Sequence, residues 1–189
     1  MNIHAKMPNT VEDFFAWNEG REGKREFVRG KVVEMMIHTT RFHTRLCTNL
    51  LFELGNSFDN RKFDYGSADF GVKTQDGIRF PDVIVDKVTP ETQGSDLTAR
   101  CPILLVEVLS PSSYVRDFGE KVEDYKSLPT LAHYLILAQD EARAWLWSKR
   151  HEGWDGPELF ADVKSSVPLT GLGISLSMTA LYHHIVDPS

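Results

Sequence analysis

The chain has 189 residues, of which 41% are hydrophobic and 25% are charged. These values predict one globular domain over residues 1–189 and exclude a disordered chain. A net charge of −6 and an isoelectric point near 5.6 exclude a protein whose whole surface binds nucleic acid non-specifically.

The sequence also predicts a cytoplasmic protein without a membrane span. Residues 1–13 contain no apolar run of signal-peptide length, and no stretch approaches the roughly 20 apolar residues that cross a bilayer. Cys47 and Cys101 have neither metal-ligand nor disulfide-framework spacing, which suits a reducing cytosol.

In chain order, the sequence predicts a helix, a hairpin and a long second helix. Thr10 is a typical N-cap for the first helix, and Arg29-Gly30 fits the turn between two alternating strands. In the long helix, apolar residues recur every four positions and trace one stripe. The stripe consists of Phe42, Leu46, Leu50 and Leu54. These elements are expected over residues 11–17, 25–35 and 39–58.

The rest of the chain alternates strands with helices. Residues 103–109 form a nearly continuous apolar run, which is typical of a central strand covered on both faces. A helix is predicted over 115–128, a turn over 153–157 and a short closing helix near 178–186. Other strands are expected at 63–65, 70–73, 81–85, 133–137 and 143–147. This alternation predicts an α/β architecture.

Two acids occupy the polar breaks of these apolar runs. Asp82 follows Pro81 at the start of a strand, where it is also a typical turn residue that accepts bonds from nearby amides. Glu107 interrupts the central apolar run, and burying an unpaired carboxylate there is costly. Glu107 therefore either pairs with an arginine or binds a cation.

A lysine follows the acids. In the helix predicted over 115–128, Asp117, Lys121 and Tyr125 are four residues apart and share one face. This spacing indicates either a surface ion pair, worth about 0.2–0.5 kcal/mol, or an ammonium group beside the two acids.

Together these motifs resemble the PD-(D/E)XK nuclease superfamily. They resemble more closely its Uma-type "putative restriction endonuclease" family, formerly a domain of unknown function. The matching features are Pro81-Asp82, the segment Glu-Val-Leu-Ser-Pro-Ser-Ser over 107–113, the set Asp117, Lys121 and Tyr125, the glutamate and glycine turn within 25–35, His43, and the strand over 134–137. The resemblance covers roughly residues 10–185.

One position departs from the superfamily pattern. The superfamily usually has a lysine two residues after the glutamate, where this chain has Leu109. The Uma-type family is similar to this chain in that respect, and Lys121 on the following helix can bring its amine to the same place. A Lys121 side chain that points to solvent would instead predict an inactive domain.

The resemblance implies a restriction-endonuclease-like core, with a mixed β-sheet flanked by helices, and hydrolysis of DNA phosphodiester bonds. Hard oxygen ligands favour Mg²⁺ (or Mn²⁺) as the cofactor. The implied metal ligands are Asp82, Glu107 and the backbone carbonyl of Val108. The implied catalytic residues are Asp82, Glu107, Lys121 and Glu26, supported by His43, Asp117 and Tyr125. For Glu26, a surface pair with Arg25 or Arg29 is the alternative.

The partner predictions are DNA and a second copy of the chain. Basic residues on the hairpin and the long helix could hold the phosphate backbone, although ordinary solvated charge is the alternative. These residues are Arg25, Arg29, Lys31, Arg41 and Arg45. A homodimer is expected because two copies most simply cut both strands of a duplex. Two other functions stay open: an inactive interaction module with a nuclease fold, and a metal-dependent hydrolase of small phosphoesters.

Overall fold

Two mixed β-sheets form the framework of the molecule in a computed structural model, which describes residues 7–35, 38–67, 69–110 and 113–186. The helices are α1 (Val11–Asn18), α2 (Arg41–Ser57), α3 (Tyr114–Asp117), α4 (Glu120–Lys126) and α5 (Met178–Leu181). The strands are β1 (Lys24–Val28), β2 (Lys31–Met35), β3 (Phe63–Ser67), β4 (Gly71–Thr74), β5 (Gly77–Arg79), β6 (Val83–Lys87), β7 (Thr98–Ala99), β8 (Pro102–Val108), β9 (His133–Leu137), β10 (Ala144–Arg150), β11 (Gly153–Phe160), β12 (Ser166–Leu169) and β13 (Ile174–Ser177).

The larger sheet has six strands in the order β11-β10-β9-β8-β6-β3. Within it, β8 and β9 are parallel and the other neighbours are antiparallel. The smaller sheet has the order β2-β1-β5-β4-β7, and β12 pairs with β13 separately. This mixed α/β arrangement confirms the predicted fold class.

The predicted N-terminal elements are confirmed. The Thr10 hydroxyl accepts a hydrogen bond from the Asp13 amide at 3.0 Å and caps α1. Arg29 and Gly30 both have positive φ (51° and 73°), as a tight turn between twisted strands requires. In α2 the apolar stripe is buried except at Phe42, which is 42% exposed.

The central strand is β8, and all seven of its residues are buried. One of its faces packs with the α2 stripe, and the other packs with Val122 and Tyr125 of α4. Because alternate residues of a strand share a face, Glu107 lies on the α4 side together with Leu105 and Leu109. The strand register therefore directs the Glu107 carboxylate toward the helix that carries Lys121.

Two local predictions were wrong, and one strand was not predicted. The helix expected over 115–128 is broken into α3 and α4 at Gly119, where a Cβ atom would lie 2.7 Å from the Val115 carbonyl oxygen. The turn expected over 153–157 is part of the edge strand β11. Strand β5 was missed. It runs so close to β1 that a Cβ on Gly77 would lie 1.9 Å from the Phe27 carbonyl oxygen.

No helix within residues 7–35, 38–67, 69–110 and 113–186 is long and apolar enough to cross a membrane.

His133, at the start of β9, makes the fold sensitive to acid. Its Nε2 accepts a hydrogen bond from the Gly171 amide at 3.2 Å, and its Nδ1 lies 2.9 Å from the Ser148 hydroxyl. Burial, together with the charge of Arg150, lowers the pKa of His133 from 6.5 to about 4. A histidine with a lowered folded pKa stabilises the fold above its unfolded pKa, and that stability is lost as the pH falls from 6.5 toward 4.

We therefore expect the Tm to fall between pH 7 and pH 4, with His133 contributing roughly 6–11 °C of the decrease. In His133→Gln, which keeps an acceptor for the Gly171 amide, the decrease should be smaller than in the wild type. Thermal melts followed by circular dichroism at both pH values measure this difference. Parallel decreases in the two proteins would contradict the assignment.

Candidate active site

Asp82 and Glu107 lie together because β6 and β8 are antiparallel neighbours. Val83 pairs with Val106, so the residue that precedes β6 meets the last residues of β8. The Val108 amide donates a hydrogen bond to Asp82 Oδ2 at 2.8 Å. Both carboxylates line one cavity of about 380 Å³.

Helix α4 brings Lys121 to these acids. Its Nζ lies 2.8 Å from Glu107 Oε1 and 3.0 Å from Asp117 Oδ1, and its side chain is 2% exposed. The break at Gly119 therefore does not separate Asp117 from Lys121. Lys121 lines the cavity, and it reaches the two acids from the helix that follows β8.

The cavity floor carries more negative than positive charge. The carboxylates of Asp82, Glu107 and Asp117 face the ammonium of Lys121, and the imidazole of His43 lies 3.2 Å from Asp82. Asp117 is completely buried. Within the described residues, neither carboxylate oxygen of Asp117 accepts a hydrogen bond, so its contact with Lys121 is an ion pair alone. Such a buried excess of anionic oxygen is costly unless a cation neutralises it.

The pKa shifts follow from this charge imbalance. Burial, with the nearby Asp117 and Asp82 carboxylates, raises the pKa of Glu107 well above 4.5, against the opposing charge of Lys121. Burial opposes the charge on Lys121, but Glu107 and Asp117 outweigh burial and raise the pKa of Lys121, so the amine stays protonated.

The pKa of Asp82 shifts in the opposite direction from that of Glu107. Burial would raise the pKa of Asp82, but His43 and the Val108 amide outweigh it and lower that pKa. His43 Nε2 lies 3.2 Å from Asp82 Oδ2, the oxygen that also accepts the Val108 amide. Asp82 is therefore ionised at neutral pH and held by two partners on one oxygen. Among the described residues, its Oδ1 has no hydrogen-bond partner.

The donor set fits a hard divalent cation bound by few protein ligands. In the described parts of the chain, no three His, Cys, Asp or Glu side chains are grouped as ligands of one ion. Mg²⁺ commonly keeps several waters and binds proteins through only one or two carboxylates. Asp82 and Glu107, with the unneutralised charge around them, match that pattern.

Comparisons with known proteins agree with this architecture. The family model described as "Uma2: Putative restriction endonuclease" matches residues 11–179. The chain belongs to the Uma2 family. The "Uncharacterized protein slr1290" of Synechocystis sp. is 26% identical over 175 residues, covering 90% of each chain. The "Uncharacterized protein sll1609" of the same organism is 27% identical over 133 residues, covering 69% of this chain and 75% of that protein.

A solved structure shares the fold. The crystal structure of "a putative nuclease belonging to DUF820 from Anabaena variabilis" aligns with a TM-score of 0.74 at 14% identity. The alignment covers 95% of this chain and 100% of that one. This likeness confirms the mixed α/β fold of the Uma2 chain.

Two tyrosines support the acidic floor of the Uma2 cavity. Tyr125, one turn after Lys121 in α4, donates to Glu107 Oε1 at 2.8 Å. Tyr134 donates to the Asp117 carbonyl at 3.0 Å. Both side chains are completely buried. They fix the orientation of Glu107 and the position of α3 without lining the cavity themselves.

Glu26 lies outside the cavity lining. Its carboxylate accepts a hydrogen bond from Arg79 Nη1 at 3.0 Å and one from the Phe80 amide at 3.3 Å. Glu26 is completely buried, so the expected alternative of a surface pair with Arg25 or Arg29 was wrong. Glu26 therefore pairs with a buried arginine and does not line the cavity in which a metal is expected.

The predicted basic residues divide into two groups. Arg25 lines the cavity, whereas Arg29 binds Asp76 at 2.7 Å across the hairpin turn. The other three predicted residues do not line the cavity. They are Lys31, Arg41 and Arg45.

The predicted set of nucleic-acid-binding residues omits Lys24 and Arg116, which both line the cavity. Arg116 immediately precedes Asp117, and that adjacency is the one signal in the sequence that could have identified it.

Proposed function

We propose that this Uma2 protein is a metal-dependent endonuclease that hydrolyses DNA phosphodiester bonds. The observation that carries the proposal is the 2.8 Å contact between Lys121 Nζ and Glu107 Oε1, in the cavity that Asp82 also lines. The family description, "Putative restriction endonuclease", is in line with this activity.

In this proposal Asp82, Glu107 and the Val108 carbonyl hold Mg²⁺ or Mn²⁺. The bound ion would polarise the scissile phosphate and lower the pKa of a water molecule. His43 keeps Asp82 ionised and oriented. The Tyr125 hydroxyl orients Glu107. These partners fix the two carboxylates before any ligand arrives.

Lys121 acts as a hydrogen-bond donor and a fixed positive charge. Because its neighbours raise its pKa, it stays protonated at neutral pH and is unsuited to act as a general base. Its ammonium group offsets the negative charge that develops on the phosphate during the reaction. Asp117 and Glu107 hold the amine in place from two sides.

The proposal is tested by incubating the protein with supercoiled plasmid and with a single-stranded oligonucleotide in Mg²⁺, in Mn²⁺, and in EDTA as the control. We expect cleavage of at least one of the two DNA substrates in both metal buffers, and neither should be cut in EDTA. A chromogenic phosphodiester is assayed in parallel. Turnover of that small ester with intact DNA, both plasmid and oligonucleotide, would favour a small-phosphoester hydrolase and overturn the proposal. The proposed homodimer is checked separately by light scattering.

A further inference from the structure

We propose that the cavity accepts one unpaired nucleotide of a DNA strand, and that Arg116 binds a phosphate next to the scissile one. This inference rests on the proposed nuclease function and specifies its substrate class. Three features carry it: the burial of the cavity floor, the apolar wall above the floor, and the free charge of Arg116.

The reactive floor is largely buried, and of its three carboxylates Asp82 is the most open, with its side chain 24% exposed. Glu107 is 3% exposed, Lys121 is 2% exposed and Asp117 is completely buried. In a duplex the phosphates lie along the rims of the grooves, with a paired strand behind them. A nucleotide that has left the stack reaches such a site more readily than one held in a duplex, as in enzymes that flip a base or act on single strands.

The dimensions of the cavity suit one nucleotide. Its volume of about 380 Å³ is at the small end of the roughly 300–1,000 Å³ typical of pockets that enclose one small ligand. Apolar side chains form part of its wall, namely Phe15, Met35, Phe80 and Leu97. Aromatic and apolar side chains of this kind bind the faces of unpaired bases, which a duplex hides by stacking.

Arg116 is distinguished by its lack of an anionic partner. Among the described residues that line the cavity, the other lysines and arginines each lie within 4 Å of a carboxylate. The pairs are Lys24 with Asp69 at 3.7 Å, Arg25 with Glu34 at 3.7 Å, and Lys121 with Glu107 at 2.8 Å.

For Arg116, the contact found among the described residues is with the Met35 sulfur, at 3.3 Å. A thioether is a weak acceptor, so most of the donor capacity of this guanidinium is unused. An arginine with free donors is well suited to bind a phosphate through two hydrogen bonds. Because Arg116 precedes Asp117 in the chain, it lies beside the reactive floor. Its natural ligand is then a phosphate that flanks the scissile bond.

The test compares Mg²⁺-dependent cleavage of one labelled oligonucleotide as a single strand and as a duplex with its complement. We expect kcat/KM to be at least about tenfold higher for the single strand. Arg116→Gln should raise KM for the single strand about tenfold, and should reduce the slope of log affinity against log salt by about 0.7. Its Tm should match the wild type, because no ion pair is lost.

Arg61→Gln is the matched control. Arg61 is 88% exposed and pairs with Asp59, outside the cavity lining, so its KM and salt slope should equal those of the wild type. Cleavage of the duplex at an equal or higher rate overturns this inference but leaves the nuclease function in place. An unchanged KM in Arg116→Gln overturns it as well. If neither substrate is cut in Mg²⁺ or Mn²⁺, the proposed function itself fails.

A single-stranded substrate also changes the oligomeric state that cleavage requires. One active site is sufficient to cut one strand, so the homodimer expected from duplex cleavage would not be required for activity.

Discussion

Replacing Glu107 with glutamine should reduce Mg²⁺-dependent DNA cleavage by on the order of 10³-fold while the protein stays folded. Glutamine keeps the shape of the side chain and an oxygen that can accept the Tyr125 hydroxyl, but it removes the charge that would bind the metal. Burial already disfavours that charge, and for this reason the pKa of Glu107 is raised. Because Asp117 still pairs with Lys121 at 3.0 Å, the substitution should change the Tm only slightly. Initial cleavage rates and thermal melts measure the two effects separately.

Two further variants make this prediction specific. Asp82→Asn should cause a similar loss of cleavage, since it removes the other proposed ligand but keeps an acceptor for the Val108 amide. Glu123→Gln is the control. It lies on the same helix as Lys121, is 78% exposed and should cut DNA at the wild-type rate. Wild-type rates in both Glu107→Gln and Asp82→Asn would rule out the proposed site.

Arg79→Met should destabilise the protein by about 3–5 kcal/mol and lower the Tm by roughly 10 °C. Arg79 is 1% exposed and contacts two buried carboxylates, Glu26 at 3.0 Å and Asp124 at 2.8 Å from its Nε. Without the guanidinium, both acids would remain buried without their main counter-charge. Urea unfolding at neutral pH measures the free energy directly.

The same substitution should also reduce cleavage at temperatures where the variant is folded. Asp124 and Lys121 lie on the same helix, so the Arg79 contacts join α4 to β1 and β5 and keep the amine in place. Exposed Arg61→Met serves as the stability control and should change the unfolding free energy by less than about 0.5 kcal/mol. Adding Glu26→Gln and Asp124→Asn to Arg79→Met should recover part of the lost stability. An Arg79→Met protein as stable as the wild type would contradict this account.

Much of the framework could be predicted from local patterns. The continuous apolar run of β8 indicates a strand that is buried on both faces. The four-residue repeat of α2 indicates a helix that is buried on one face. Asp82 and Glu107 were identified because acids are rare in such runs. Their meeting follows from antiparallel pairing of β6 and β8, which the sequence alone does not specify.

Glu26 shows where sequence reasoning fails. Its partner Arg79 is 53 positions away, in the three-residue strand β5, whose central apolar residue is flanked by a glycine and an arginine. Nothing local to Glu26 distinguishes a buried structural pair from a catalytic acid. The long-range pair with Arg79 gives Glu26 its structural position, and this pair depends on strand β5, which the sequence pattern did not reveal.

Arg116 was missed for a related reason. Its significance depends on the absence of a nearby carboxylate among the described residues, and an absence of this kind has no sequence pattern. The break at Gly119 was equally hard to foresee, because an isolated glycine is tolerated inside many helices. It left the pairing of Asp117 with Lys121 intact, so the predicted set survived an error in the predicted helix.

The central claim is that Asp82 and Glu107 hold a divalent cation beside Lys121, and titration calorimetry with Mn²⁺ tests it most directly. The account predicts one saturable Mn²⁺ site per chain in the wild type and in Glu123→Gln, and loss of that site in Glu107→Gln. A wild-type protein that shows no saturable binding, or a Glu107→Gln protein that binds Mn²⁺ as the wild type does, would contradict it.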